Sequence, residues 1–495
     1  MGHFLLGYDV GSSSIKVTLL NAENGQAIAS AISPKVEMEI KSPKKGWAEQ
    51  DPECWWDNLI QATGELGKKV RLKPDTIIAI GISYQMHGLV LVDKAKKVLR
   101  PSIIWCDSRA VDIGEKAFQD IGKEKALSQL LNSPGNFTAS KLKWVKDHEP
   151  SLYDQVFKFM LPGDFIAMKM TGEIRTTVSG LSEGIFWDYK QNEVSRTIMD
   201  YYGLSNSMIP ERVPAFGEQG TLTSAAAQEL GLMKGIPVSY RAGDQPNNAF
   251  SLNALNPGEI AATAGTSGVI YAVTDKAGFD LKSRVNTFVH VNNTHRNPRY
   301  GVLLCINGTG ILNSWLKKQI GKGHYEEMND MARKIKIGSE DLRIFPFGNG
   351  AERVLENRDI GALISGLNFN RHQQGHLFRA AQEGIVFALN YGLDIMRKMD
   401  VPLKVVRAGV TNMFLSDVFR EAFVNTTRTV LELHNTDGAQ GAARAAGIGI
   451  GIFNDFKAAF KGLKIQHVVE PEKEKMEIYQ TEYNHWLNLL NKNLS

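Results

Sequence analysis

Two aspartates stand at the ends of strand-like runs, where open α/β sheets place their ligands. Asp9 precedes a turn of small residues in "LLGYDVGSSSIKVTLL" (5–20), which reads as strand, turn and strand. Asp244 lies in "YRAGDQPNNA" (240–249), between a strand-like run and a helix that Pro246 can open. Asp9 could hold Mg²⁺, directly or through water, because that ion takes one or two carboxylates and keeps most of its waters. Asp244 could be a general base for a substrate hydroxyl, or it could simply cap the helix.

The turn after Asp9 has groups that can bind phosphate oxygens. Gly11, Ser12 and Ser13 offer backbone N–H groups and hydroxyls in a tight turn. Lys16 either adds positive charge or lies on the solvent face of the second strand. The stretch is neither a Walker loop, which leads into a helix, nor a dinucleotide-binding fingerprint, which needs two further glycines. A plain hairpin would have the same residues, so the turn alone does not decide between these interpretations.

A third candidate group follows the apolar run "TIIAIGIS" (76–83), which is typical of a strand buried on both faces. The run breaks at "YQMHG", where Gln85 and His87 keep the alternation of a strand and could project together toward a cleft. The alternative is an ordinary core methionine, Met86, beside a hydrogen-bonded histidine.

Trp105, Asp107 and Arg109 alternate in the same way within "IIWCDSRA" (103–110), which predicts that they share one face of a strand. An aromatic ring beside a carboxylate and a guanidinium suits a polyol, because the ring packs on C–H groups while the charged groups bind hydroxyls. A buried ion pair between Asp107 and Arg109 is the alternative interpretation.

The elements that must position these residues alternate as in an α/β fold. The predicted strands of the first hundred residues are 4–10, 15–20, 27–32, 76–83 and 89–93. A helix is predicted from Asp51, a favoured N-cap followed by Pro52, to about Lys69. Strands followed by helix–strand units favour an α/β layer architecture.

The second half of the chain repeats the strand–turn–strand pattern in "EIAATAGTSGVIYAVTD" (259–275), with a similar shape but different residues. We therefore expect two related lobes with a Gly-rich hairpin in each, an N-terminal lobe of residues 1–248 and a C-terminal lobe of residues 249–495. An amphipathic helix that docks on the body is predicted near the C-terminus from apolar residues at helical spacing: Met476, Tyr479, Tyr483, Trp486, Leu487 and Leu490.

Composition limits what the protein can bind. The 495 residues are 43% hydrophobic and 22% charged, as in ordinary globular proteins, and they exceed the size of a single core. A formal charge of +4 gives no reason to expect a nucleic-acid partner, and no apolar stretch reaches the length of a membrane helix. Three widely spaced cysteines and an N-terminus unlike a signal peptide predict a cytoplasmic protein.

The motifs together resemble those of the FGGY family of carbohydrate kinases, and within it the xylulokinases. The matching segments follow the family's order from residue 5 to about 453: "GYDVGSSSIKVTLL", "GWAEQDPECWW", "QMHGLVLVD", the W-x-D-x-R residues, "KLKWVKDHEP", "LPGDFIAMKMTGE", "AGDQPNNAF" and "AGTSGVIYAV". Each motif is weak by itself, whereas the ordered series over nearly the whole chain is highly specific. The resemblance implies an α/β, two-lobed actin/hexokinase-like (ribonuclease H-like) duplicated fold, with ATP and sugar bound in the cleft between the lobes.

By this resemblance, Asp244 is the base that takes the proton from the sugar hydroxyl, and Asp9 is the carboxylate on the metal side, with ATP and Mg²⁺ required. The residues expected to bind the sugar are Gln85, Met86, His87, Trp105, Asp107 and Asn247. The residues expected to bind nucleotide or phosphate are Gly11, Ser12, Ser13, Lys16, Gly265, Thr266, Ser267, Gly409 and Asn412.

The resemblance implies ATP-dependent phosphorylation of D-xylulose to D-xylulose 5-phosphate. The form Gln-Met-His-Gly points to xylulose more than to glycerol, ribulose or rhamnulose. The expected partners are a small ketose and ATP, and neither nucleic acid nor a membrane is expected. The protein could also form a homodimer.

Three departures from the family pattern leave room for another substrate. Tyr84 stands where the family usually has a small residue, and "RTTVSGLSEGIF" (175–186) lacks the usual Asp/Ser pattern. "AGVTNMF" (408–414) stands in place of a Gly-rich nucleotide segment. Another pentulose, a polyol or a gluconate-like acid is therefore the alternative substrate, and a non-catalytic sugar sensor or an actin-like ATPase is the alternative class.

Overall fold

The computed structural model of the protein describes residues 2–71, 73–320 and 323–494. Within these residues the strands are β1 Phe4–Val10, β2 Ile15–Asn21, β3 Ala27–Ser33, β4 Glu49–Gln50, β5 Ile77–Tyr84, β6 Val90–Val92, β7 Ser102–Ile103, β8 Lys158–Met160, β9 Arg175–Thr177, β10 Trp187–Asp188, β11 Glu193–Val194, β12 Glu211–Val213, β13 Val238–Gly243, β14 Gly258–Ala264, β15 Gly268–Thr274, β16 Asn286–Val289, β17 Tyr300–Ile306, β18 Arg343–Phe345, β19 Leu363–Ser365, β20 Leu403–Gly409, β21 Val430–His434 and β22 Ile465–Val469. The α-helices are α1 Pro52–Val70, α2 Val111–Ile121, α3 Lys123–Leu130, α4 Thr138–His148, α5 Pro150–Tyr153, α6 Pro162–Thr171, α7 Val178–Glu183, α8 Arg196–Tyr202, α9 Ser224–Leu230, α10 Asp244–Ser251, α11 Gly310–Gln319, α12 Tyr325–Arg333, α13 Gln374–Lys398, α14 Asp417–Thr427, α15 Gly438–Gly449, α16 Phe456–Ala459 and α17 Lys473–Leu494.

Two compact units make up the chain, and they interleave along the sequence. The first unit extends to Asn253 and adds Phe288–Arg299 and Thr436–Leu463. The second unit consists of Ala254–Thr287, Tyr300–Asn435 and the chain from Lys464 onward. Where the sequence predicts one division near residue 248, the chain therefore returns to the first unit twice, the second time to supply α15 and α16.

The first unit is built on a five-stranded sheet in the order β13-β5-β1-β2-β3. The hairpin predicted around Asp9 is confirmed, because β1 pairs antiparallel with β2. β1 also pairs parallel with β5, with Asp9 opposite Ser83, and β13 pairs parallel with β5, with Gly243 opposite Tyr84. The carboxyl ends of β1, β5 and β13 therefore meet at one edge of the sheet, where Asp9 and Asp244 stand.

Two helices of different composition cover this sheet. The helix predicted from Asp51 is confirmed as α1. The Asp51 side chain caps it, and Trp55 and Leu59 lie buried on its apolar face. The small residues of α15 let its backbone approach the sheet closely. A Cβ on Gly7 would lie 1.9 Å from the carbonyl oxygen of Ala439, so only glycine fits at that position of β1.

The second unit has a sheet with the same pairing pattern. It contains the order β17-β15-β14-β20-β21-β22. β14 pairs antiparallel with β15 and parallel with β20, just as β1 pairs with β2 and β5. β15 then pairs with β17, and β20 with β21, as β2 pairs with β3 and β5 with β13. The duplicated α/β fold expected from the resemblance is therefore confirmed.

The core of the second unit includes the C-terminal helix. α17 buries Tyr479, Tyr483, Trp486 and Leu490, so the amphipathic docking helix predicted from the sequence is confirmed. The indole N–H of Trp486 donates to the carbonyl oxygen of Ile344 at 3.0 Å. In the part of the chain that the structure describes, every helix is too short or too polar to cross a membrane.

Candidate active site

Asp244 is the first residue of α10 and directly follows β13. The N-cap of that helix is Gly243, so the interpretation of Asp244 as the helix cap is not what the structure shows. Burial, and secondly the negative charge of Asp9, raise the pKa of the Asp244 carboxyl to about 7, against hydrogen bonds from Gln245 that lower it. A carboxylate with a pKa near neutrality is suited to proton transfer at physiological pH.

Asp9 is partly buried near the end of β1 and shares the sheet edge with Asp244. The Ser83 hydroxyl donates to Asp9 Oδ1 at 2.9 Å. Burial raises the pKa of Asp9 and the charge of Asp437 raises it further, whereas the Ser83 hydrogen bond and Lys16 lower it. Neighbouring carboxylates whose charges raise the pKa of Asp9 and of Asp244 favour a cation beside them.

The N-terminus of α15 completes this group. Asp437 caps the helix by accepting the Gln440 N–H at 2.9 Å, and its Oδ2 lies 2.7 Å from Lys16 Nζ. A Cβ on Gly438 would lie 2.4 Å from Asp9 Oδ2, so the helix backbone meets the carboxylate directly. Lys16 is ion-paired with Asp437, because β2 points its side chain toward α15, and its binding of phosphate stays a prediction.

The turn between β1 and β2 is anchored on several sides. The Gly11 N–H donates to the Ser14 carbonyl at 3.1 Å, so it is used within the turn. Gln50 Nε2 donates to the Ser12 carbonyl at 2.7 Å, and Trp105 Nε1 donates to the Ser12 hydroxyl at 3.3 Å. Ser13 is exposed. The turn is therefore held in place while Ser13 faces solvent.

The Gln-Met-His segment does not continue as a strand, contrary to the alternation read from the sequence. β5 ends at Tyr84, and His87 has φ of 63°, in the left-handed region. The His87 ring packs against Phe137 and Phe288, with centroids 4.8 and 5.5 Å away. Met86 is 4% exposed, so the ring and the thioether are held by a turn and its packing.

The Trp-x-Asp-x-Arg segment also differs from the single face that the sequence predicts. β7 ends at Ile103, and the following turn buries Asp107 completely, with both carboxylate oxygens bonded to Arg109. The Arg109 guanidinium stacks on Trp47, 3.8 Å from the ring centroid. The buried ion pair, left open as an alternative, is what forms, so Asp107 is closed to a sugar. Trp105, at 51% exposure, remains open.

Buried acceptors follow Asp244 in α10 and follow the end of β5. Asn247 is fully buried and donates its amide to the Gly438 carbonyl at 2.9 Å. Among the described residues, Gln85 Oε1, Gln245 Oε1 and Asn247 Oδ1 are buried oxygens without a hydrogen-bond donor. Such acceptors are normally satisfied, so this group suits a ligand rich in hydroxyls.

The second unit has a separate cavity at its own hairpin. The Gly310 N–H donates to the Gly265 carbonyl at 2.9 Å, which docks the start of α11 on the turn. Asn412, with φ of 54°, lies on the other side of the turn. The cavity has a volume of about 500 Å³ and is lined by Ala264, Gly265, Thr266, Gly310, Ile311, Asn313, Ser314, Tyr325, Asn329, Thr411, Asn412, Met413, Leu415 and Ser416. Ser267 and Gly409, also expected here, do not line the cavity: Ser267 follows the lining residue Thr266, and the Gly409 carbonyl accepts the N–H of the lining residue Thr411 at 2.8 Å.

Sequence reasoning missed the polar residues on the far side of this cavity. Gln382 Nε2 donates to Asn329 Oδ1 at 3.0 Å, and Ser416 donates to Gln382 at 2.8 Å, which fixes the Asn329 amide. Asn313 Oδ1 is buried without a donor among the described residues. A fixed amide and an open acceptor suit a heterocyclic base, but no motif near residues 313 or 329 signals it.

A magnesium ion fits the carboxylates of the first unit only as a partner of phosphate. Among the described residues, no three His, Cys, Asp or Glu side chains form a cage for a metal. Mg²⁺ does not need one, since it binds through one or two carboxylates, substrate phosphates and water. Asp9, close to Asp437 and hydrogen-bonded to Ser83, provides such a carboxylate.

Comparisons with known proteins agree with the fold. Residues 4–251 match the N-terminal domain of the FGGY family of carbohydrate kinases. A xylulose kinase of Bacillus subtilis is 28% identical over 500 residues, covering 98% of this chain and 96% of that protein. The crystal structure of ligand-bound xylulose kinase from Lactobacillus acidophilus has a TM-score of 0.90 at 22% identity, over 99% and 98% of the two chains. A gluconate kinase from the same organism has a TM-score of 0.89 at 21% identity, over 100% and 99%.

Proposed function

Since the chain belongs to the FGGY family of carbohydrate kinases, and is thus an ATP-dependent sugar kinase, we propose that it phosphorylates D-xylulose to D-xylulose 5-phosphate. The observation that carries the proposal is Asp244, a carboxylate with pKa about 7 at the sheet edge, beside buried acceptors that lack donors. These acceptors suit the hydroxyl groups of a neutral ketose.

In the proposed reaction, Asp244 accepts the proton of the terminal sugar hydroxyl as its oxygen attacks the γ-phosphorus and the bond from that phosphorus to ADP breaks. Asp9 is the carboxylate beside which Mg²⁺ would bind, and the Ser83 hydroxyl orients Asp9. Bound with ATP, Mg²⁺ supplies positive charge that offsets the charge developing on the phosphate oxygens. Ser12 and Ser13 supply backbone N–H groups to phosphate oxygens.

Nucleotide binding is assigned to the cavity of the second unit, which combines the turn at Gly265 and Thr266 with Asn412. Its volume of about 500 Å³ lies within the range of small-molecule sites. The lining is neutral, as suits a base and a ribose.

The choice of D-xylulose is supported by the Gln-Met-His-Gly form and by relatives whose names are xylulose kinase. Met86 and His87 contact the ketose in this proposal. A gluconate-like acid is the second candidate, because a gluconate kinase shares the fold over the whole chain. The carboxylates at the sheet edge argue against it, since a sugar acid would bring another negative charge to Asp9 and Asp244.

The test is ADP release from Mg-ATP with separate additions of D-xylulose, D-ribulose, L-ribulose, glycerol and D-gluconate. We expect the highest kcat/KM with D-xylulose, and phosphorus NMR of the product should show a phosphate ester on its terminal carbon. A higher kcat/KM with gluconate would favour the second candidate. ADP release independent of any sugar would indicate an actin-like ATPase, and sugar binding without ADP release would indicate a sensor.

A further inference from the structure

Glu183, the last residue of α7, is buried behind the segments proposed to bind the sugar and to supply the base. Its side chain is 1% exposed. His87 Nδ1 lies 3.0 Å from the Glu183 carbonyl oxygen, and the His87 N–H lies 3.5 Å from Glu183 Oε1. Glu183 therefore contacts the left-handed turn at His87 through both its backbone and its carboxyl group.

The same carboxyl group packs against the backbone that precedes Asp244. A Cβ on Gly243 would lie 2.4 Å from Glu183 Oε2 and 2.5 Å from Met86 Cγ. Gly243 thus lies between Glu183 and Met86, and any larger residue there would displace one of them. Glu183 is in this way in contact with two strand ends at once, those of β5 and β13.

Charged and titratable groups around Glu183 favour its neutral form. Burial raises the pKa of Glu183 well above its ordinary value, and the charges of Asp244 and then Asp164 raise it further. The His87 N–H and the Tyr84 hydroxyl act in the opposite direction. The nearby cation Arg241 is ion-paired with Asp164 at 3.0 Å. Burial of a carboxyl group without its own cation favours the protonated form.

Tyr84, one of the departures from the family pattern, lies next to Glu183, which belongs to the departing segment 175–186. Tyr84 is completely buried, and a Cβ on Gly163 would lie 2.0 Å from its ring, so α6 holds the ring in place. Its hydroxyl is a neighbour of Glu183 and has its own pKa raised, first by burial and then by that carboxyl group.

We propose that Glu183 is a positioning residue for phosphoryl transfer, which fixes Gly243–Asp244 and the His87 turn relative to each other through its buried carboxyl group, next to Tyr84. The inference rests on the proposed role of Asp244 as base. Glu183 contacts the backbone beside Asp244, so its effect falls on where the base stands.

The test compares Glu183→Gln, which keeps the shape and neutral hydrogen bonding, with Glu183→Met, which keeps the volume and removes the polar group. We expect Glu183→Met to lower kcat about 10- to 100-fold, as for a small misplacement of a catalytic group. Its KM for ATP should stay at the wild-type value. Glu183→Gln should restore kcat to within about threefold of wild type, because a neutral isostere replaces a neutral partner. The exposed Glu173, changed to Gln and Met, is the matched control.

Each result decides the inference. A loss in Glu183→Gln as large as in Glu183→Met would mean that the ionised carboxylate is needed, and would overturn it. Wild-type kcat in Glu183→Met would overturn it as well. Should Glu183→Met fail to fold by circular dichroism, Tyr84→Phe tests the same contact, with a severalfold loss of kcat supporting the inference and unchanged kcat overturning it. The assays use whichever sugar wild-type enzyme phosphorylates fastest, so a failure of the D-xylulose assignment stays distinguishable.

Discussion

The two strand–turn–strand hairpins share their backbone pattern and differ in their chemistry. In the first, β1 and β2 flank a turn that begins at Gly11, and Asp9 stands two residues before it. In the second, β14 and β15 flank a turn that begins at Gly265, and Thr263 stands at the matching position. Each first strand pairs parallel with the next strand along the sheet, so the scaffold is the same.

The same contrast continues at the neighbouring strand ends. The first unit has Asp244 after β13, whereas β21 of the second unit ends in His434, a buried residue whose pKa is lowered chiefly by burial. Asn412 follows β20 in the second unit. One copy of the scaffold thus has carboxylates and the other has neutral groups. The difference indicates that duplication supplied two ligand edges, of which one suits proton transfer and the other suits neutral binding.

The strongest test of this contrast is removal of the base. Asp244→Asn should lower kcat by roughly 10²- to 10⁴-fold, because the neutral amide cannot accept the hydroxyl proton. Sugar-dependent ADP release measures it. The matched control is Asp112→Asn, the same change at an exposed position in the first turn of α2 in the same unit. Near-wild-type kcat in Asp244→Asn would remove the distinction between the two sheet edges.

Substitution of Asp9, compared with a substitution at the matching position of the second hairpin, should have the next largest effect. Asp9→Asn should lower kcat by about 10²-fold or more, since it removes the charge beside the proposed metal position. The Mg²⁺ concentration for half-maximal rate should rise with it. Thr263→Val, the control at the corresponding site of the second hairpin, should change kcat by less than about threefold. Equal losses in both variants would contradict the contrast.

The pH dependence of kcat/KM should be set by Asp244 of the first unit and not by residues of the second unit. A base is active only when deprotonated, and the Asp244 pKa is raised to about 7, so its protonated and inactive form accumulates as the pH falls below that value. We expect kcat/KM for the sugar to decrease about tenfold for each pH unit below the pKa. Asn412→Ala should show the same profile, because it changes the other unit. A flat profile down to about pH 5.5 would be inconsistent with Asp244 as the base.

The smallest expected effect lies in the neutral cavity. Asn412→Ala should raise KM for ATP about 5- to 10-fold, in line with the loss of one hydrogen bond, and leave KM for the sugar unchanged. Steady-state kinetics with each substrate varied in turn measure both constants. Asn370→Ala, an exposed asparagine of the same unit outside the cavity, is the control. A rise in the KM for the sugar without a rise in the KM for ATP would contradict the assignment of Asn412 to nucleotide binding.

Much of the scaffold could be predicted because its signals are local. Alternating and continuous apolar runs fixed β1, β2, β3 and β5, and Asp51 with Pro52 marked the start of α1. The position of Asp244 after a strand and at a helix start followed from the same kind of signal. Each of these depends on residues only a few positions apart.

The sequence did not reveal where the chain turns or which distant residues meet. Lys16 pairs with Asp437, 421 residues away, a contact that the hairpin sequence does not reveal. Asp107 and Arg109 keep the spacing of a strand, yet the chain turns there, and the two charges neutralise each other in the interior. Glu183 gave no signal of its own, since its contacts arise only when α7 meets β5 and β13. Spacing predicts which residues share an element, whereas tertiary packing decides which of them remain open.

The close packing of α15 on β1 and β5 has a consequence for biosynthesis. The strands of the first unit leave the ribosome early, but the helix that fits against Gly7 and Gly81 is encoded near the end of the chain. Its cap, Asp437, also pairs with Lys16 on β2. The sheet therefore keeps one surface uncovered until α15, Gly438–Gly449, has been translated. We expect the nascent first unit to be a chaperone client for most of synthesis, because exposed apolar surface in such intermediates promotes aggregation.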